Sequence, residues 1–152
     1  MTSTVSRLID GTPAAVWDIL SDGWLYGLWV VGASGIRDVE GDWPSVGAAI
    51  HHSVGTWPLL LDDLTTVLSS APQRELELRA RAWPTGEATV RITLEGQGAQ
   101  TLVTIVEDAT RGPATLIPSP VRRAALDRRN SESLKRLSYL VKNKAPVTDP
   151  RP

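Results

Sequence analysis

Two histidines, His51 and His52, stand side by side in a stretch that alternates like a β-strand. Adjacent strand residues point to opposite faces, so the pair cannot easily hold one metal ion. Parity groups His52 with Ile50 and Val54, and His51 with Ala49 and Ser53. His52 is therefore expected to face the interior with Ile50 and Val54. Two roles fit it there. It can be a histidine simply hydrogen-bonded in the core, or a general acid/base, because imidazole titrates near neutral pH.

Further polar candidates lie toward the C-terminus. On a helical wheel, Leu126, Leu134, Leu137 and Val141 gather on one side, and Arg123 and Asn130 fall within the same arc. Polar groups on an apolar stripe need partners, since an unpaired buried amide costs about 1–3 kcal/mol. Arg123 lies near the helix start and can reach solvent. Asn130 can bond to a strand or loop backbone, or to a ligand. Arg128, Arg129, Glu132, Lys135, Arg136 and Lys142 fall on the opposite side, expected to be solvated. Glu107 and Asp108 end the last expected strand, so one of them should face inward. That residue would be a cavity acid, a partner for Arg123, or half of a loop salt bridge. The candidate acid/base set is thus His52, Asn130, Arg123, Glu107 and Asp108.

Several chemistries find no support. The chain has no cysteine, so thiolate nucleophiles, disulfides and cysteine metal sites are excluded. Gly32-Ala33-Ser34-Gly35 is not a nucleophile elbow, and Gly96-Gln97-Gly98 lacks the third glycine and the helix of a dinucleotide loop. No phosphate-binding loop or His-Glu-x-x-His motif occurs. No metal or cofactor is expected.

The elements that must position these residues follow from pattern. Ser3–Asp10 reads as a strand, and Thr12-Pro13 as an N-cap and first helical position opening Pro13–Ser21. Trp24–Leu28 reads as a short second helix or turn. Strands are expected over Trp29 to Glu40, Gly47–Trp57, Leu59–Ser70, Glu75–Trp83, Ala88 to Glu95 and Thr101–Asp108. In Glu75–Trp83, the residues Leu76, Leu78, Ala80 and Ala82 alternate with charged ones; Ala88, Val90, Ile92 and Leu94 alternate likewise. This period of two marks half-buried antiparallel strands. A helix from about Val121 to Lys142 closes the order. An antiparallel meander with one terminal helix must bury the sheet's apolar face on that helix. Small residues such as Ala80, Ala82 and Ala88 favour a hollow between them.

Composition frames this reading. A length of 152 residues suits one domain, expected over residues 1–143, followed by a Pro-rich, flexible tail over 144–152. Residues 1–120 carry a net charge of −7 and residues 121–152 one of +6, against −1 overall. A basic helix lying on an acidic body explains the split better than nucleic-acid binding does, because only Tyr139 interleaves the basic residues. No apolar run spans a membrane, and residues Met1 to Asp10 lack a signal-peptide core, so a cytoplasmic location is the default. The sequence does not set the oligomeric state. Of the six tryptophans, Trp29, Trp57 and Trp83 suit the wall of a hollow, where indole offers a donor as well as area.

The stretch Thr12-Pro13-Ala14-Ala15-Val16-Trp17-Asp18-Ile19-Leu20-Ser21-Asp22 resembles the opening helix of the START-like (SRPBCC) superfamily, especially its polyketide cyclase/dehydrase and lipid-transport branch. Tyr26 and Trp29, Val46-Gly47 and the terminal amphipathic helix agree with that pattern, which covers residues 3–143. The resemblance implies an α+β helix-grip fold like that of birch-pollen-allergen-like proteins. In it, a curved antiparallel sheet of six to seven strands wraps around a long C-terminal helix, with one or two short helices after the first strand. It also implies an apolar cavity, and chemistry only weakly. The expected function is binding of a lipid or an aromatic, polyketide-like molecule between sheet and helix. A cyclase/dehydrase-type enzyme using acid/base groups in the same cavity is the alternative. The expected ligand contacts are Trp29, Ile50, His52, Val54, Trp57, Leu78, Ala80, Ala82, Val90, Ile92, Leu126, Asn130 and Leu134.

Overall fold

A computed structural model describes residues 2–54, 61–82 and 86–144. Trp57, Trp83 and the tail beyond Lys144 lie outside the described residues. Strand β1, Ser3–Asp10, leads into helix α1, Pro13–Leu20. The Thr12 hydroxyl accepts a hydrogen bond from the Ala15 N–H at 3.2 Å and so caps α1, with Pro13 in its first turn. Asp22 caps the following 3-10 turn, Gly23–Leu25, by accepting from Trp24 N at 3.1 Å. Helix α2, Tyr26–Trp29, follows directly.

Trp29 was expected to open a strand and instead closes α2. Tyr26 and Trp29, one helical turn apart, both bury, and the Val30 N–H bonds to the Tyr26 carbonyl at 3.0 Å. Strand β2 begins only at Ala33 and ends at Glu40. Strands β3, Ala49–Val54, β4, Leu61–Ala71, β5, Glu75–Ala82, β6, Gly86–Gln97, and β7, Gln100–Arg111, complete the sheet. Strand β3 starts later than expected, because Gly47 takes a left-handed φ of 87° that breaks extended geometry. Strand β7 runs past Asp108 to Arg111, so Glu107 and Asp108 lie inside a strand, not at its end. Helix α3 spans Ser119–Asn143 and tolerates Pro120 because its missing N–H falls in the first turn.

All seven strands pair antiparallel in the order β1-β7-β6-β5-β4-β3-β2. Register shifts in β2, at Val67/Ser69 and at Glu87/Ala88 bend the sheet into a grip. Helix α3 lies along β1 and against α1 and α2, filling the concave face. Leu76, Leu78, Ile92, Val103 and Ile105 from the sheet meet Leu134, Leu137 and Val141 from α3, with Val16, Ile19 and Leu20 sealing one end. The opposite sheet face carries exposed charge. There Arg91 donates to Glu77 at 2.9 Å and lies 3.6 Å from Glu75.

Candidate functional site

Strand register sets the site. Across β3 and β4, His52 pairs with Asp63 and Ile50 with Thr65; across β6 and β7, Val90 pairs with Glu107 and Ile92 with Ile105. Paired residues share a face, so four polar side chains reach the concave side among aliphatic ones. Between that face, α2 and α3 lies a cavity of about 180 Å³. Leu78, Ala80, Val90, Ile92 and Ile105 form its floor. Tyr26, Trp29 and the segment Val30–Ala33 cover one side, and Arg129, Asn130 and Ser133 of α3 another. The Ser133 hydroxyl accepts from the Val31 N–H at 3.1 Å, tying the covering segment to the helix.

One polar cluster is closed on itself. Glu107 accepts hydrogen bonds from the Arg129 guanidinium and, at 3.1 Å, from the Asn130 amide. Glu107 is buried while Arg129 keeps 41% of its side chain in solvent. A buried carboxylate held by a cation and an amide donor is compensated for its burial. Arg129 was expected on the solvated side of α3. Its length lets the head group fold over the helix edge to Glu107 while the stem stays outside.

The second cluster is open. His52 Nε2 and the Thr65 hydroxyl share a hydrogen bond of 2.9 Å, and Thr65 shares another with the Tyr26 hydroxyl at 3.3 Å. The Tyr26 ring stacks against Trp29 edge-on at 5.7 Å and lies 5.5 Å from the His52 ring. Burial pushes the Tyr26 phenol up to about 12, so it stays protonated and polar. Burial also lowers the His52 pKa from 6.5, despite the nearby Ser53 backbone, and Arg37 pushes the same way. The imidazole is therefore neutral at neutral pH. Asp63 rises from 3.8 to about 6, again through burial, against the opposing pull of the Leu64 N–H and Arg81. Its Oδ1 accepts from Leu64 N at 3.0 Å.

Three buried side-chain atoms here have no well-formed hydrogen bond: Trp29 Nε1, His52 Nδ1 and Asp63 Oδ2. All three residues line the cavity. Among the described residues, no group of three or more His, Asp or Glu side chains could hold a metal ion.

The expected residues divide cleanly. His52, Asn130, Glu107, Trp29, Leu78, Ala80, Val90 and Ile92 line the cavity. Ile50 and Leu134 are buried in the packed core and do not line it, and neither does the half-buried Leu126. Arg123 was a candidate acid/base group but lies outside the lining, 57% exposed and 3.9 Å from Asp127 one turn on. Asp108 alternates with Glu107 and takes the convex face. Val54 and Ala82 end β3 and β5, and their side chains, like Trp57 and Trp83, fall outside what is described. Sequence reasoning missed Tyr26, Asp63, Thr65, Arg129 and Ser133. Parity left no usable signal for Asp63: it alternates with Thr65 and Val67, but Asp62 alternates just as well with Leu64 and Leu68.

No protein-family model and no curated protein matches the chain. Solved structures do match over nearly its whole length. A START superfamily protein from Mycobacterium smegmatis superposes with a TM-score of 0.74 at 16% identity, covering 93% of this chain and 97% of its own. The Zhui aromatase/cyclase from Streptomyces sp. R1128 gives 0.73 at 12% identity, covering 93% of each chain. Ara h 8.0201 gives 0.70 at 11% identity, covering 93% and 97%. The chain has a helix-grip fold, an antiparallel sheet bent around a long C-terminal helix, and shares that fold with these structures. Among the described residues, no helix is long and apolar enough to cross a membrane.

Proposed function

We propose that this protein binds a hydrophobic small molecule, of lipid or aromatic, polyketide-like class, between its sheet and α3. The observation that carries this reading is a hollow of about 180 Å³ with an aliphatic floor, between the sheet and α3. A packed core tolerates few voids, because each forfeits contacts on its lining. Similarity in fold to a START superfamily protein and to an aromatase/cyclase supports it at the level of architecture. The test is thermal-shift and native mass spectrometry against fatty acids and aromatic compounds, with Ala80→Leu as a variant that fills the hollow. Apolar probes should raise the melting temperature of the natural chain and not that of Ala80→Leu. If no apolar probe binds, the reading fails.

A second reading, acid/base catalysis of cyclase/dehydrase type on the same ligand, is favoured by one pair. A neutral imidazole, His52, and a carboxyl of raised pKa, Asp63, occupy paired positions on β3 and β4. Such a pair can take a proton from an acidic carbon and return one to a leaving hydroxyl near pH 6. Exchange of the acidic CH protons of a small β-diketone in heavy water measures the first half. Acceleration lost in both His52→Ala and Asp63→Asn supports catalysis; no acceleration leaves binding alone.

A further inference from the structure

We infer that the outer face of α2 and α3 is a docking surface for an anionic lipid bilayer, on which the protein lies without crossing it. Helix α3 carries seven basic and two acidic side chains. Its two acids, Asp127 and Glu132, each face an arginine one turn away, Arg123 at 3.9 Å and Arg136 at 3.4 Å. Arg129 is held by Glu107, and Arg122 donates to the Thr115 carbonyl at 3.1 Å. Arg128, Lys135 and Lys142 remain. They are exposed, and no acid among the described residues pairs with them.

Spacing puts these cations in a line. Seven residues of helix return to within about 20° of the starting azimuth. Val121 and Tyr139 share that side, separated by five whole turns or about 27 Å of helix. They are 61% and 70% exposed. At the Tyr139 end, Leu28 of α2 joins Lys135, Arg136, Tyr139 and Leu140 around one shallow groove. Leu28 is 57% exposed, and Trp24, one turn before it, 58%. The same helix turns Tyr26 and Trp29 inward, so α2 is apolar on both sides.

Three features choose the occupant. Cations without an internal partner call for an anionic one. Trp, Tyr and Leu side chains projecting beside Lys and Arg suit a lipid headgroup layer, where aromatic rings sit half solvated and long cationic stems reach phosphate. The face is also straight over about 27 Å, which matches a plane. A peptide seated in the Leu28 groove would meet only one end of it, and a nucleic acid would leave Leu28 and Val121 unused. Docking needs no ligand in the cavity, so it stands apart from the binding reading above.

The experiment sediments the full chain with sucrose-loaded vesicles of phosphatidylcholine alone, or of phosphatidylcholine and phosphatidylserine in equal parts. The chain should pellet with the anionic vesicles and not the neutral ones, and high salt should release it. Tryptophan emission should shift to the blue on binding, and Trp24→Phe should remove most of that shift. Each free cation is worth about fivefold in partitioning, so the double variant Arg128→Ala, Lys135→Ala should weaken binding about twentyfold. The double variant Leu28→Ser, Tyr139→Ser should weaken it severalfold. Melting temperatures should not move, because all four side chains are exposed. Failure to pellet with the anionic vesicles at low salt overturns the proposal, as does binding that both double variants leave unchanged. Equal affinity for double-stranded DNA overturns the lipid assignment and makes the face a general polyanion binder. Self-association without lipid, abolished in Arg128→Ala, Lys135→Ala, overturns it in favour of a second copy.

Discussion

Replacing Asp63 by Asn should stabilise the protein, and by more at high pH than at low. Burial holds the Asp63 carboxyl at about 6 in the folded chain against an ordinary 3.8. A raised carboxyl contributes stability that is fully present below the unfolded value and lost as pH rises through the folded one. The difference of roughly two units corresponds to about 3 kcal/mol once the group is ionised in both states. The amide of the Asp63→Asn variant carries no charge at any pH and escapes that loss. His52 acts in the opposite sense. Its lowered pKa contributes stability present above 6.5 and lost as pH falls below it. The natural chain therefore shows a flattened pH profile in which the two residues offset each other. Subtracting natural from variant stability removes His52 and leaves Asp63. Urea unfolding followed by tryptophan fluorescence reads this difference, which should grow by about 2 kcal/mol between about pH 4 and about pH 8. In melting temperature that is roughly 4–8 °C for a chain of this size. A difference constant with pH, or one that shrinks as pH rises, would refute the assignment of Asp63 as a buried, uncompensated carboxyl.

Other expectations follow from individual contacts. Glu107→Ala removes the acceptor of both Arg129 and Asn130 and should lower urea stability by about 1–3 kcal/mol, with Asn130 left buried and short of a partner; an unchanged midpoint would show the cluster to be neutral. Leu137→Ala empties a fully buried position between α3 and the sheet and should cost about 2–5 kcal/mol by the same measurement. Gly86→Ala should destabilise by about 2 kcal/mol or more, because a Cβ there would collide with the Arg111 carbonyl and φ is +120°; unchanged stability would mean the β6–β7 pairing differs at this end. Arg123→Ala should leave stability and ligand affinity within about 0.5 kcal/mol of the natural chain, since its ion pair with Asp127 is exposed.

The parts legible in the sequence were those governed by period and parity. Ser3–Asp10, the capped α1, the alternating β5 and β6 and the apolar stripe of α3 each carry their own geometry in residue spacing. So His52 and Asn130 could be aimed inward from the chain alone, as could one of Glu107 and Asp108. Which side chain meets which is a different kind of fact. Glu107 was offered Arg123, the basic residue on the predicted buried arc, yet its partners are Arg129 and Asn130. The wheel locates a Cβ, and an arginine head group travels several ångströms beyond it. Parity was also weakest where two like residues adjoin. Asp62-Asp63 gives no hint which acid turns inward until pairing with His52 fixes the register of β4. The same limit explains why the open cluster went unseen. Tyr26 and Trp29 come from α2, His52 from β3, and Asp63 and Thr65 from β4, so no local pattern contains it. A sheet bent around a helix assembles such a cluster from separate elements, each of which satisfies its own backbone. The fold thus decides that a hollow exists, while the side chains that line it come from separate elements and differ from one sequence to the next. That is why a fold shared at 11–16% identity says little about the ligand.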